Sequence, residues 1–482
     1  MNLPLSHGIA CWLVVILAFD VDAQCGMDIF VNVSIPDETV YVFEGSDSNT
    51  TIIVNEILRD GELTFRSSNP AKFTIKDGYT TTTLNTSSDL PRNFSVVIEG
   101  RAISIEKLEV YFRPSGSDDL IELGQQTIGV KRVPTILQAV YIYIILAWIV
   151  LSYLSMGGSM NPKDIWKKIR RPYGILIGIF CQFIIMPAMT YMIALLFARG
   201  DDATSVGIVL IGTAPGGWLS NIFCALLDVD LVLSITMTFF STLIALGMMP
   251  LNLLIYATPF TTENQRLQTP FSDLAQQLAI LVIPLFIGIA ISWKFPKFKK
   301  FCKKVVKPIA FLLIVIGIAM GVPADFYAFS QSPGYVWAVS FIIPFFGAFF
   351  GLSFARIFAR DVRSSITIAI ETGVQNAILA RTIVFLFYPR PEADLLARVT
   401  LTTSLVTIIE GAFAVSVYYI FRFLLCRRRC NKAQNEEELD GEKAVVDDDI
   451  KAIEIDEKND IGNNGQAPVN GADNAAFQTE SK

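Results

Sequence analysis

Glu371 and Gln375 stand four residues apart in the stretch Ala369-Ile370-Glu371-Thr372-Gly373-Val374-Gln375-Asn376-Ala377, inside an otherwise apolar run. In an unbroken helix that spacing puts both side chains on one face. A carboxylate near the centre of a bilayer costs roughly 2.5–3.5 kcal/mol even on lenient scales, so it needs compensation. Arg381 is one of the few basic residues nearby. It lies about 15 Å further along a straight helix at 1.5 Å per residue, too far to pair. A bound cation is the favoured compensation, and a protonated carboxyl is the alternative.

Upstream, Gly212-Thr213-Ala214-Pro215-Gly216-Gly217 precedes Ser220-Asn221. Proline removes a backbone donor and glycine weakens a helix, so a break is expected here. Broken helices expose carbonyls and half-helix ends, which suit ions. A kinked packing helix is the blander reading. Ser234 and Thr238 are one turn apart and share a face. Alone they mean little, because hydroxyls in membrane helices usually bond their own backbone. The candidate ligands are all oxygens, which suits a hard ion such as Na⁺ better than Zn²⁺ or Cu⁺. One carboxylate is few for Ca²⁺. Proton coupling through Glu371 stays open. The only histidine is His7, so histidine catalysis and ligation are not expected. With no P-loop and no cysteine cluster either, an enzyme is not expected, and Na⁺ would be a coupling ion rather than a cofactor.

These residues must be held by membrane helices. The chain is 52% hydrophobic and 17% charged, against roughly 25% charged in soluble domains. Nine apolar segments are expected at 135–157, 173–198, 204–226, 230–256, 274–293, 305–323, 335–355, 364–388 and 398–425, several long enough to span a bilayer. Lysine and arginine fill alternate loops: 158–172, 294–304 and 356–363. The positive-inside rule then puts the N-terminus outside and the C-terminus in the cytoplasm. Phe183-Ile184-Ile185-Met186-Pro187 is faintly echoed by Phe341-Ile342-Ile343-Pro344, as in carriers built from inverted repeats.

Residues 1–23 read as a signal peptide, with a signal anchor as the alternative. Residues 24–133 read as an extracellular β-sandwich, with alternation at 28–35, 39–43, 51–55, 72–75 and 93–112. Four glycosylation sequons fall there, at Asn32, Asn49, Asn85 and Asn93. Cys25 is the only cysteine left in that domain, so no internal disulfide is expected. Residues 134–426 form the transmembrane domain. Residues 427–482 read as a disordered cytoplasmic tail, with 14 acidic and 4 basic residues from Ala433 onward. The tail offers a surface for cytosolic partners, or is a plain solvated terminus. Cys426 and Cys430, beside the membrane end, could be palmitoylated, though free thiols are the blander state.

The motifs resemble the sodium/bile acid cotransporter family. The likeness rests on Pro215-Gly216-Gly217, Ser220-Asn221, Asp228, Ser234, Thr238 and the run from Ser241 to Pro250. Arg170-Arg171-Pro172, Cys181-Gln182-Phe183 and Glu371-Thr372-Gly373-Val374-Gln375-Asn376 carry it too. It covers most of 140–425. The long glycosylated N-terminal domain looks like the P3-type branch. The resemblance implies an all-α polytopic transporter with core and panel domains and two discontinuous helices that cross. It implies one Na⁺ site from Ser220, Asn221, Ser234, Thr238 and Glu371. It implies a second from Gln182, Glu371, Thr372, Val374 and Gln375, with the apolar member giving its carbonyl. Asn376 and Pro215 would lie beside the substrate. Trp218-Leu219 stands where many relatives carry small residues, which argues against bile acid itself.

The expected function is sodium-coupled symport of an organic, bile acid- or steroid-conjugate-like anion. The rival is a non-transporting receptor or adhesion protein acting through its ectodomain. The expected partners are Na⁺, the amphipathic anion and the lipid bilayer, with no nucleic acid. The expected location is the plasma membrane, with the Golgi or another secretory membrane as the alternative.

Overall fold

The computed structural model describes residues 31–87, 89–133, 135–160, 162–261 and 271–462. The signal peptide expected at 1–23 lies outside the described residues, as does Cys25.

The N-terminal part holds nine strands: β1 (Val31–Ser34), β2 (Val40–Phe43), β3 (Asp47–Ile57), β4 (Gly61–Ser67), β5 (Phe73–Ile75), β6 (Thr81–Leu84), β7 (Arg92–Gly100), β8 (Ser104–Pro114) and β9 (Ile121–Lys131). They form two sheets, ordered β1-β3-β7-β5 and β2-β9-β8-β4-β6. Both sheets feed one apolar core, with Ile52, Val54, Val96 and Ile98 from the first and Leu63, Val110, Phe112 and Ile128 from the second. Inward apolar residues alternate with outward polar ones, as a half-buried strand requires. The sequence reading needs three corrections. The run 93–112 is two strands, β7 and β8, parted by a turn after Gly100. Strands β4 and β6 were not anticipated, being short and threonine-rich or bounded by turn residues. Strand β9 was not anticipated because glycine interrupts its pattern. It gains its ladder from β8 on one side and from a parallel pairing with β2 on the other.

The helices that follow are α1 (Ile136–Ser159), α2 (Pro162–Ile169), α3 (Tyr173–Phe180), α4 (Met186–Phe197), α5 (Asp202–Thr213), α6 (Trp218–Leu226), α7 (Leu231–Tyr256), α8 (Phe271–Lys294), α9 (Pro296–Ile316), α10 (Gly334–Ile357), α11 (Val362–Gly373), α12 (Ala377–Phe387) and α13 (Glu392–Gly462). A π turn, Cys181–Ile185, joins α3 to α4. Among the described residues five stretches are long and apolar enough to cross a membrane: 136–159, 173–197, 231–256, 334–357 and 392–427. Asp201, Asp230 and Asp361 cap α5, α7 and α11, each accepting a backbone N–H three residues on. Helix α13 continues to Gly462 where the sequence suggested a structureless tail. Residues 427–462 hold six glutamates and four lysines, which favour a helix.

Among the described residues three apolar clusters pack the helices: one joins α3, α7, α10 and α11 through Ile175, Leu233, Ala355 and Ile368, and the other two are a smaller and a larger one. The smaller joins Tyr141, Ile145, Ile149 and Tyr153 of α1 to Val282 and Leu285 of α8 and to Ala324. The larger gathers α4, α5, α7, α10, α12 and the start of α13 around residues such as Leu210, Leu253, Ile343, Leu379 and Leu396.

Candidate cation site

Helices α5 and α11 each run twelve residues and then stop. At Ala214 and Val374 the backbone turns extended; the first break is the one the Pro-Gly-Gly signal predicts, and the second falls just after Gly373. Opened backbone groups inside an apolar region must find partners. They find each other: Gly217 N–H donates to Val374 O at 3.1 Å, and Asn376 N–H donates to Pro215 O at 3.0 Å. The breaks thus pair as a minimal antiparallel bridge between Gly216 and Gln375. Helices α6 and α12 restart on the far side. Asn376 caps α12 by accepting Leu379 N–H at 3.1 Å.

Glu371 lies in the last turn of α11 and is buried. Its Oε2 accepts from Ser220 Oγ of α6 at 2.6 Å and from Ser234 Oγ of α7 at 2.9 Å. Its Oε1 accepts from Thr238 Oγ1. Asn221 closes the ring, its Oδ1 2.9 Å from Ser234 Oγ and its Nδ2 3.2 Å from Thr238 Oγ1. Each hydroxyl has one proton but faces two acceptors. Ser220 Oγ is also 2.5 Å from Gly217 O, Ser234 Oγ faces Asn221, and Thr238 Oγ1 is 3.1 Å from Ser234 O. The cluster therefore holds more lone pairs than protons. Such a cluster calls for a cation or an extra proton. Gly216 sits against it: a Cβ there would lie 2.7 Å from Glu371 Oε1.

Gln375 is not on the Glu371 helix, so the shared-face expectation fails; the break at Gly373 turns the two side chains to different partners. Gln182, on the π turn, donates through Nε2 to Gln375 Oε1 at 2.6 Å and to Ala214 O at 2.7 Å. Gln375 Nε2 donates to Thr372 O at 2.7 Å. The Thr372 hydroxyl is buried without a hydrogen bond among the described residues. So Gln182, Thr372, Val374 and Gln375 meet at the crossing, while both Glu371 oxygens turn to the first cluster. The π turn, which adds a residue to the helical repeat, has no sequence signature.

Arg381 does not serve Glu371. Its Nε and Nη2 donate to Asp325 Oδ2 at 3.0 and 2.6 Å. Asp325 escaped the sequence reading because it lies 56 residues away in the chain.

A cavity opens between the smaller and the larger apolar cluster, at the crossing. Gly217, Leu219, Gln375 and Asn376 line one side, and Tyr141, Ile145, Gly321 and Val322 another, with Leu401, Ser404 and Ile408 of α13. Asn376 Nδ2 donates to Tyr153 of α1 at 3.2 Å, a partner the sequence did not suggest. Pro215 meets the crossing instead, through its carbonyl.

Residues 145–328 match the family described as the Sodium Bile acid symporter family. That stretch contains Gln182, Ser220, Asn221, Ser234 and Thr238. A sodium-dependent organic anion transporter of Bos taurus is 32% identical over 288 residues, covering 59% of this chain and 74% of that protein. An ileal sodium/bile acid cotransporter of Oryctolagus cuniculus is 33% identical over 287 residues, 60% of this chain and 82% of that protein. A P3 protein of Mus musculus is 28% identical over 284 residues, 58% of this chain and 60% of that protein.

Proposed function

The chain belongs to the sodium bile acid symporter family, and from that membership we propose that it couples sodium entry to uptake of an amphipathic, bile acid- or steroid-conjugate-like organic anion. Its relatives are transporters, not enzymes. The observation that carries the reading is the hydroxyl ring around Glu371, richer in lone pairs than in protons, whose carboxylate has no basic partner among the described residues, Arg381 being held by Asp325. A sodium ion there would take the place of the missing charge. The second ion would sit by Gln182, Thr372, Val374 and Gln375, where an unsatisfied hydroxyl already faces the interior. Gln375 would join that ion to the solute, since it also lines the cavity.

The helices α1, α8 and α9 would act as the panel, and the larger cluster as the core. No lysine or arginine is among the residues lining the cavity. The solute's negative charge would be met by the positive ends of α6 and α12, whose first residues line it. Sodium would favour one arrangement of core against panel, and this difference in affinity would drive the cycle. Nine membrane crossings with the sandwich outside, at the plasma membrane, complete the picture. Glycosylation of Asn32, Asn49, Asn85 and Asn93 fits that orientation.

The test is uptake of labelled steroid conjugates by cells in sodium or choline medium. Uptake is expected in sodium alone and is expected to vanish in Glu371→Ala and Gln375→Ala at equal surface level. Equal uptake in choline would overturn the proposal.

A further inference from the structure

The sandwich is not merely tethered by its last strand. Arg132, one residue beyond β9, is buried between two aspartates of the helical part. Its Nε donates to Asp394 Oδ1 at 3.0 Å, its Nη2 lies 3.6 Å from Asp325 Oδ1, and its Nη1 donates to Ala324 O at 3.3 Å. Each aspartate has a second arginine. Asp325 accepts from Arg381, and Asp394 Oδ2 lies 3.6 Å from Arg390 Nε. The result is a line of alternating charge, Arg390–Asp394–Arg132–Asp325–Arg381, with a sandwich residue at its centre.

The line runs beside residues that line the cavity. Asp325 directly follows Ala324, the last member of the smaller apolar cluster. Arg381 lies on α12, five residues after cavity-lining Asn376, and its guanidinium is 4.9 Å from the ring of cavity-lining Tyr141. The sandwich grips the same connector at its other end. Gln331 Nε2 donates to Glu44 Oε1 at 2.8 Å, and Gln331 Oε1 accepts Ile103 N–H at 3.3 Å. Residues 325–331 lead from the smaller cluster to α10 of the larger one, so they are the joint across which panel and core would move.

Two of the four ion contacts in the line, Arg132–Asp325 and Arg390–Asp394, are not hydrogen-bonded. Arg132 Nη2, Asp325 Oδ1, Asp394 Oδ2 and the Tyr327 hydroxyl are buried without a hydrogen bond among the described residues. Buried ion pairs that do not hydrogen-bond recover little of their desolvation cost. Water entering as the helices part would restore that loss, which suits a contact that opens and closes rather than a permanent weld.

We propose that Arg132 is a positioning residue of the transport cycle: through Asp325 and Asp394 it holds shut the side of the cavity that the line runs beside. This rests on the transport reading, since it supplies that reading with a gate. It makes the sandwich a working part of the carrier.

Arg132→Gln is the informative change, because each aspartate keeps its other arginine and no buried carboxylate is orphaned. Asp325→Asn removes the junction itself. The readout is labelling of Ser404→Cys in the cavity by a membrane-impermeant methanethiosulfonate. The full chain is reconstituted in vesicles sorted for the sandwich outward, and the chain without Ser404→Cys gives the baseline. Both changes should speed labelling on the order of tenfold, the effect of losing about 1.4 kcal/mol of closed state. Equal labelling in all three proteins would overturn the gate. Sodium-dependent thermal stabilisation is measured on the same preparations. Its absence from the parent would count against the transport reading, while the labelling rates would still decide the gate.

Discussion

Glu371 owes its character to what surrounds it more than to where it sits. Three hydroxyls aim at its two oxygens, and each is already engaged elsewhere. The candidate ligands could be read from the sequence because polar residues stand out in an apolar run. The partner of Arg381 could not, because no local spacing joins it to Asp325. The pairing of Gln375 with Gln182 was equally hidden, since it depends on a π turn and a helix break. At this scale the prediction concerns Ser234, which reaches Glu371 at 2.9 Å. Ser234→Ala should raise the sodium concentration for half-maximal uptake roughly tenfold, as losing about 1.5 kcal/mol of interaction with a charged group would. An unchanged sodium dependence would remove Ser234 from the site.

The broken helices are the elements that make these contacts possible. An intact α5–α6 helix would bury its own carbonyls and carry Ser220 away from Glu371. The break before Ser220 was legible in Pro215-Gly216-Gly217, whereas the second was implied only by the family resemblance. What the sequence did not reveal is that the two extended segments pair, which needs both breaks at one depth. Gly216 shows how little room remains, with Glu371 Oε1 2.7 Å from where a Cβ would stand. Gly216→Ala must push the carboxylate or shift the bridge, at a cost of about 1–3 kcal/mol, typical of an overpacked site. Sodium-dependent uptake should fall steeply with surface level unchanged, and wild-type sodium affinity would contradict the crossing geometry. The cap on α11 is a second lever. Backbone and side-chain hydrogen bonds from Ser364 hold the Asp361 carboxyl below its usual range. A lowered folded-state value gives stability that is complete at neutral pH and lost only as pH falls through that value. Asp361→Ala should therefore cost about 1 kcal/mol at pH 7, read as a lower unfolding temperature.

The whole molecule sets a two-sheet sandwich on a helical carrier. The sandwich was legible as a class from alternation and turn signals, but its strands were undercounted. Short strands and glycine-interrupted strands take their stability from neighbours. The contact between sandwich and helices left no trace in the sequence, because Arg132 reads as one more basic residue near a membrane end. All four sequons are exposed, with Asn32, Asn49 and Asn93 on strands of one sheet. Removing each by Asn→Gln should lower the apparent mass stepwise and leave a product that glycosidase no longer shifts. No shift in the parent would contradict a sandwich on the lumenal or outer side.

The central claim is that sodium occupies the Glu371 cluster. The direct measurement is the unfolding temperature of the purified full chain, titrated with sodium chloride against choline chloride at constant ionic strength. A ligand that binds only the folded state stabilises it by about 1.4 kcal/mol at ten times its dissociation constant. The midpoint should rise with sodium, stay flat with choline, and lose the Glu371 cluster's share of the sodium response in Glu371→Gln, leaving only what the second site contributes. A midpoint that moves equally in both salts, or a Glu371→Gln chain that keeps the full sodium response, would contradict the account.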